Sequence, residues 1–169
     1  GTALIAETMS RLSSPPPVLI CASAIGYYGN RGNKILTEDD PPGDDFISNV
    51  CSGWEKSAQA AVDKGIRTAF MRIGIALSPA GGALSRLLFS FRAGLGAKIA
   101  SGAQFMSWVG IDDVVGAFFH VLAENKIAGP VNVVSPNPVT NLEFTKTLRK
   151  VLSRPAVFSI PAAAINIVF

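Results

Sequence analysis

Histidine and cysteine, the residues that most often bind metals or form disulfides, are scarce in this sequence. One histidine and two cysteines occur among 169 residues. A single histidine, His120, excludes a metal centre built from several histidines. Cys21 lies in an apolar run and Cys51 in a predicted helix, and their spacing matches neither a disulfide framework nor a zinc site. We therefore expect no bound metal, and the cysteine usage favours a reducing compartment.

Charge and long apolar runs are limited as well. Only 16% of the residues are charged, and the net charge of +3 is spread along the chain without a cationic run. This pattern gives no support for nucleic-acid binding. No apolar run reaches the length of a membrane span, and no targeting segment is visible. We expect the protein in the cytoplasm or in an organellar matrix or stroma.

Apolar residues, in contrast, are abundant. They make up 49% of the chain, which is high for a free-standing domain of this size. The sequence opens at Gly1 without an initiator methionine and stops within an apolar stretch, Ala162 to Phe169. We expect part of this apolar surface to be covered by a partner chain, by a second copy in a homodimer, or by further chain.

One apolar run organises the rest of the chain. Residues 18–22, VLICA, stand between three prolines and a segment of small residues, tyrosines and glycines. A run of this kind predicts a strand buried on both faces of a parallel sheet. Ligands of open parallel sheets bind just beyond the carboxyl ends of the strands. Ser23, Tyr27 and Tyr28 fall at that place and are therefore the first candidates for a functional site.

Strand and helix patterns alternate after this run. A loop, a predicted helix over 48–64 and a buried strand over 67–73 complete a βαβ unit with a parallel crossover. Three further helices are predicted: over 83–93, from Asp112 or Asp113 to Glu124, and from the capping box at Thr140 and Glu143 to about Ser153. The second of these helices is expected to bury its apolar residues. Two further strands are predicted over 130–135 and 156–160. The pattern is typical of an α/β protein with a parallel sheet. We divide it into 1–74 and 75–169, within one compact unit.

Two stretches lie outside these regular patterns. The acidic loop over 33–47 could suggest a metal site, but we interpret it as a solvated surface loop, because the residues needed to hold the acids in fixed geometry are absent. The long irregular stretch over 75–110 is expected to form the wall of a substrate cleft around one short helix.

The three glycines after the first strand look like a dinucleotide fingerprint. Gly26, Gly29 and Gly32 follow the strand directly. A phosphate-binding loop also needs the start of a helix pointing at the phosphates. The acidic, proline-containing sequence from Asn33 onward does not start a helix. We therefore interpret the glycines as a turn at the edge of a cleft.

Five ordered blocks resemble a known family. They are SAIGYYG, SGWEKSA, RIGIALSPAGGAL, FRAGLGAKIASGAQFMSWVGIDD and GPVNVVSPNPVTNLEF. They are similar to extended short-chain dehydrogenases/reductases, and more narrowly to an atypical epimerase branch: the NAD-dependent epimerase/dehydratase family, also labelled cell-division inhibitors of the SulA-like type. The resemblance implies a doubly wound, Rossmann-like parallel-sheet fold. It also implies that the first strands, with their glycine-rich loop, precede Gly1, and that the substrate-binding C-terminal region is partial.

The superfamily's Tyr-x-x-x-Lys pair is missing. At the usual spacing before Arg72, Val50 takes the place of the tyrosine and Trp54 that of the lysine, and neither can transfer a proton. The resemblance places Ser23 near the superfamily's active-site serine. Tyr27 or Tyr28 can then serve as a substitute acid; the alternative is that one packs inside while the other lines the pocket.

The resemblance also implies a cofactor site. It comprises Ala22, Ser23, Arg72, Ile73 and Gly74 and takes NADP or NAD, with NADP favoured. Arg72 faces the cofactor in this interpretation; the alternative is an ion pair with Glu55 or Asp113, because an unpaired buried cation is costly.

The expected function follows from the resemblance and from these side chains. It is an NAD(P)-binding epimerase or oxidoreductase acting on a small, sugar- or nucleotide-linked substrate. The alternative is a catalytically inactive cofactor-binding or scaffold protein that retains the fold, which the missing Tyr-Lys pair favours.

Overall fold

The computed structural model describes residues 1–156 and 158–160. In chain order, the elements are α1 (Thr2–Arg11), β1 (Val18–Ala24), a 3₁₀ turn (Ile25–Tyr28), α2 (Phe46–Lys56), α3 (Gln59–Asp63), β2 (Arg67–Ile73), β3 (Ile75–Leu77), α4 (Gly82–Arg92), β4 (Ala97–Ile99), β5 (Phe105–Met106), β6 (Trp108–Gly110), α5 (Ile111–Ala123), β7 (Gly129–Val133), β8 (Val139–Thr140), α6 (Asn141–Leu152) and β9 (Phe158–Ile160). None of the helices in this described part combines the length and the apolar character that a bilayer crossing needs.

The chain forms two units rather than one. The first comprises Gly1–Gly74 and Asp112–Val134, and the second comprises Ile75–Ile111 and the described residues from Ser135 onward. The sequence-based division after Gly74 coincides with one boundary. That division places 112–134 in the second region, whereas the structure groups this segment with the first unit. The reason is strand pairing, because β7 joins the sheet that β1 and β2 begin.

A parallel sheet in the order β1-β2-β7 forms the centre of the first unit. This confirms the parallel α/β, Rossmann-like fold expected from the sequence. The register pairs Ser23 with Arg72, and Arg72 with Asn132. Residues paired across a sheet share a face, so these three side chains form one row near the carboxyl ends of the three strands.

The helix predicted over 48–64 is interrupted. Its first part, α2, begins earlier, at Phe46, because the Asp45 carboxylate accepts the backbone N–H of Ser48 and caps the helix. The helix ends before Ser57, whose hydroxyl donates to the carbonyl of Gly53 at 2.7 Å, a contact that bends helices. The second part, α3, then packs against α1, with Ala6 and Met9 meeting Ala61 and Ile66.

Helix α5 buries less of its apolar surface than its sequence predicts. Val114 is buried, but Val115, Phe119 and Leu122 are exposed, Phe119 by 67%. The expectation that all of these residues are buried is therefore wrong. Arg67 of β2 donates at 2.9 Å to the carbonyl of Val121 in the last turn of this helix and to that of Ile127 in the loop after it.

The second unit contains more strands than the sequence indicated. The stretch predicted to be irregular includes β3, which pairs in parallel with β6, and also β4 and β5. Strand β4 pairs with β9 in parallel, and β5 pairs with β8 antiparallel. These strands have two or three residues, too few to produce a visible alternation in the sequence. The predicted capping box at the start of α6 is confirmed. Residue 157, inside the strand predicted over 156–160, lies outside the described residues.

Candidate functional site

A cluster of polar side chains lies at the carboxyl edge of the sheet in the first unit. The row of Ser23, Arg72 and Asn132 contributes one side chain from each of the three strands. Helix α2 adds Glu55, and the 3₁₀ turn adds Tyr28. Polar groups converge here because the strands end together and because both α2 and the turn pack against that end.

An ion pair between Arg72 and Glu55 is the centre of the cluster. Arg72 Nε donates to Glu55 Oε1 and Arg72 Nη2 donates to Glu55 Oε2, both at 2.9 Å. The Arg72 side chain is 3% exposed and that of Glu55 is 11% exposed. Of the alternatives that the sequence left open for Arg72, the structure contains the ion pair with Glu55. This bidentate geometry is the strongest that arginine and a carboxylate can form.

The charge of Arg72 is permanent. Burial alone would lower the pKa of its guanidinium, but the hydrogen bonds to Glu55 and Tyr28 outweigh burial and raise that pKa above its ordinary value. A fixed positive charge is therefore built into the site at every pH at which the protein is folded.

Ser23 is bound to the same carboxylate. Its hydroxyl donates to Glu55 Oε1 at 2.8 Å, and the residue is buried. The serine proton thus points at Glu55, which leaves the oxygen of Ser23 as an acceptor. A ligand group meeting Ser23 in this arrangement has to bring its own proton, as a hydroxyl or an amide does.

The hydroxyl of Tyr28 both accepts and donates a hydrogen bond. It accepts from Arg72 Nη1 at 2.9 Å and donates to Asn132 Oδ1 at 2.7 Å. The backbone N–H of Asn132 in turn donates to Glu38 Oε1 at 2.8 Å, and the Glu38 carbonyl accepts from Arg72 Nη1 at 3.2 Å. The network thus extends from β2 through the turn and the acidic loop to β7.

Two members of this network were missed by the sequence analysis. Glu38 belongs to the loop that the sequence predicts to be solvated, whereas its carboxylate accepts the backbone N–H of Asn132 in β7. Asn132 is the one residue of β7 with a polar side chain, and its place among apolar neighbours is the signal that the sequence offers. The same loop brings no three His, Cys, Asp or Glu side chains together as a metal ion would require, judged over the described residues.

Tyr27 lies beside this network in a different way. The centre of its ring is 3.5 Å from Arg72 Cζ, so the ring covers the face of the guanidinium. The rings of Tyr27 and Tyr28 meet edge to face, with centroids 5.4 Å apart. Tyr28 is buried, whereas Tyr27 is partly exposed.

The glycine-containing segment forms turns. Gly29 and Gly32 have φ values of +66° and +59°, which favour glycine. Gly43 packs so closely that an added Cβ would lie 2.5 Å from the Ser48 hydroxyl. The next helix after these glycines begins only at Phe46. The geometry that a dinucleotide fingerprint needs, a helix starting directly at the glycines, is not formed.

The other predicted cofactor residues line the same strand ends. Ala22 is exposed in β1, and Ile73 is partly exposed at the end of β2. The backbone N–H of Gly74 donates to the carbonyl of Val133 at 3.1 Å. Trp54, at the lysine place, is 52% exposed on α2. Neither it nor Val50 offers a group that transfers protons.

The chain is similar in sequence to several proteins that are named epimerase family proteins. Epimerase family protein Mb2239 of Mycobacterium bovis is 41% identical over 151 residues, which are 89% of this chain and 50% of the relative. Epimerase family protein SDR39U1 of Homo sapiens is 37% identical over 169 residues, which are 99% of this chain and 57% of the relative. The chain therefore spans about half the length of the curated relatives it matches. No protein-family model matches it.

Solved structures agree with this relationship. The crystal structure of human SDR39U1 (isoform 2) with NADPH matches with a TM-score of 0.94 at 36% identity, over 99% of this chain and 57% of that chain. A nucleoside-diphosphate sugar epimerase from Corynebacterium glutamicum matches with a TM-score of 0.80 at 38% identity, over 99% of this chain and 37% of that chain.

Proposed function

The chain is homologous to epimerase family proteins over almost its whole length, and on that premise we propose that it takes part in binding NADP(H) or NAD(H). In this proposal the protein acts as an epimerase or oxidoreductase on a small, sugar- or nucleotide-linked substrate. The bound nicotinamide would supply the hydride acceptor or donor. The NADPH in the structure of the human relative supports NADP(H) as the cofactor.

The observation that carries this proposal is the convergence of Ser23, Arg72 and Asn132 at the carboxyl edge of the sheet. This is the place at which open parallel sheets bind their ligands. The same edge holds a buried serine, a buried ion pair and a tyrosine in one hydrogen-bonded network, so polar groups are fixed in position where a ligand would meet them.

The residues at this edge fit the nicotinamide end of a dinucleotide better than its phosphates. Arg72 donates through all three of its nitrogens to Glu55, Tyr28 and Glu38, so only one of its five N–H donors is left for a phosphate. Ala22 and Ile73 offer apolar side chains on the other face of these strands from Ser23 and Arg72, and Gly74 offers backbone, so a neutral ring can lie against this edge of the sheet. We assign these three residues, with Ser23, to that end of the cofactor.

Calorimetry of the whole protein with NADPH and with NADH tests this assignment. Ala22→Leu places bulk at an exposed strand position and should weaken NADPH binding by about tenfold or more, because each 1.4 kcal/mol of lost contact is a factor of ten in Kd. Ala3→Leu adds the same bulk at an exposed position of α1 and should leave Kd unchanged. Absence of binding of either nucleotide by the unaltered protein refutes the proposal.

The second candidate is a cofactor-binding or scaffold protein without catalysis. The observation that favours it is the absence of a proton-transferring group at Val50 and Trp54. The two candidates differ in hydride transfer. The scaffold interpretation predicts constant nicotinamide absorbance across sugar nucleotides and carbonyl compounds even while NADPH binds, and turnover of any of them rules it out.

The proposed compartment is reducing, either cytoplasm or an organellar matrix or stroma. Cys21 and Cys51 are both free and buried, which is the usual condition of thiols in such compartments. A homodimer or a partner chain that covers exposed apolar surface stays a prediction.

A further inference from the structure

Tyr27 and Tyr28 are neighbours in the chain, but their hydroxyl groups differ in hydrogen bonding. The hydroxyl of Tyr28 donates a hydrogen bond to Asn132 and accepts one from Arg72, and the residue is 3% exposed. A ligand could reach this hydroxyl only by displacing two buried hydrogen bonds, each of which would leave a polar group unsatisfied. Tyr28 is therefore suited to holding Arg72 and not to exchanging a proton with a substrate.

The hydroxyl of Tyr27, in contrast, has no hydrogen-bond partner among the described residues. The Tyr27 side chain is partly exposed. Its backbone is fixed, because the Tyr27 carbonyl accepts the N–H of Gly43 at 2.9 Å. The backbone of Tyr27 is thus held in place while its hydroxyl stays open to a ligand.

A fixed cation lies against the Tyr27 ring. The guanidinium of Arg72 is bound along its edge by Glu55 and by Tyr28, and its face is covered by Tyr27 at 3.5 Å. The carboxylate and the ring therefore occupy different sides of the cation and do not compete for the same donors. A cation over the face of an aromatic ring is attracted by the ring's electrons, so Arg72 and the Tyr27 ring hold each other in position.

We propose that Tyr27 is the proton-transferring residue of the proposed function and that Arg72, positioned by Glu55, supplies the positive charge that a lysine supplies in ordinary short-chain dehydrogenases. This inference rests on the proposed function. In the oxidation direction, the substrate O–H bond breaks and its proton passes to the ionised oxygen of Tyr27. The C–H bond of the same carbon breaks with its electron pair leaving as hydride to an oxidised nicotinamide dinucleotide, and a C=O bond forms. In reduction, Tyr27 returns the proton to that oxygen.

Acetylation by N-acetylimidazole tests the accessibility of the two hydroxyls without any substrate. The chain contains only two tyrosines, so mass spectrometry of its peptides assigns each product. We expect native Tyr27 to be acetylated at least about tenfold faster than Tyr28, because Tyr28 reacts only when the structure opens locally. Tyr28 reacting first, or both reacting alike, would overturn the assignment of Tyr27.

Nitration by tetranitromethane tests the charge, since this reagent consumes the ionised phenol. Arg72→Met should slow nitration of Tyr27 about tenfold, and Arg72→Lys, which keeps a charge, should slow it far less. Arg11→Met removes an exposed arginine from α1 and should change nothing. Circular dichroism checks the fold of each variant. If Arg72→Met does not fold, Arg72→Lys decides, and a tenfold loss of nitration in that folded variant contradicts the role of the charge.

Turnover then separates this inference from the proposed function. With a substrate that the unaltered protein converts, Tyr27→Phe should lower kcat about a hundredfold or more with little change in KM, as expected for lost acid-base catalysis. Tyr28→Phe should lower kcat less, since Tyr28 acts through Arg72. A Tyr27→Phe protein with normal kcat overturns the inference and leaves the function standing. No turnover of UDP-glucose or other sugar nucleotides by the unaltered protein refutes the function and, with it, the catalytic role of Tyr27.

Discussion

Replacing Glu55 by alanine is the sharpest test of the network around Arg72. The substitution removes three hydrogen bonds, two from Arg72 and one from Ser23. It also leaves a guanidinium that is 3% exposed without a counterion. Breaking a buried ion pair by removing one partner costs about 3–5 kcal/mol, because the remaining charge is buried and uncompensated. Domains of this kind are stable by only about 5–15 kcal/mol, so the loss is a large fraction of the total.

Urea unfolding followed by circular dichroism measures this loss. With a slope of about 2 kcal/mol per molar urea, a loss of 4 kcal/mol lowers the unfolding midpoint by about 2 M. Glu55→Gln should have an intermediate effect, because the amide keeps one accepting oxygen but not the charge. Glu7→Ala removes an exposed glutamate of α1 and should change the free energy of unfolding by less than about 0.5 kcal/mol.

Two results would refute this reasoning. A loss below about 1 kcal/mol for Glu55→Ala would mean that the pair behaves like an exposed surface ion pair. A loss that disappears in concentrated salt would mean the same, since salt screens exposed charges far more than buried ones. The expected result is a large loss that is independent of salt.

Three further predictions concern other parts of the chain. Thr140→Ala removes the cap of α6 and should lower the free energy of unfolding by about 1 kcal/mol in urea titration. Hydrogen bonds from the first turn of α2 hold the pKa of Asp45 below its usual value of 3.8. The ionised Asp45 therefore contributes its full stabilisation above pH 3.8, and this contribution is lost as the pH falls through the pKa of the folded state. Asp45→Asn should make the free energy of unfolding less dependent on pH in this acidic range. Burial raises the pKa of the Cys21 and Cys51 thiols, so Ellman's reagent should modify them slowly in native protein and rapidly in urea.

The sequence predicts the framework of the site well. The buried runs at β1 and β2 define strand ends, and strand ends define where ligands bind, so the positions of Ser23 and Arg72 at one edge of a sheet follow from the amino-acid pattern alone. The ion pair with Glu55 could be named as an alternative, because a cation at the end of a buried strand needs a partner.

The choice between the tyrosines could not be predicted. Tyr27 and Tyr28 are adjacent in a 3₁₀ turn, where neither helical nor strand periodicity says which side chain faces inward. The roles of Glu38 and Asn132 could not be predicted either, since they depend on a loop meeting a strand 94 residues later. The burial of the apolar residues of α5 could not be predicted correctly, because composition alone does not distinguish a buried helix face from a solvent-exposed one.

The bond between Tyr28 and Asn132 joins residues 104 positions apart, and that separation has a consequence for folding order. Bringing such distant residues together costs chain entropy that local contacts do not cost. The segment from α1 to β2 can form its own pairings early, but the tyrosine and the acidic loop acquire their partner only when β7 docks. We therefore expect the network to assemble late, and protection of the Asn132 amide from hydrogen exchange would report that β7 and the acidic loop have met.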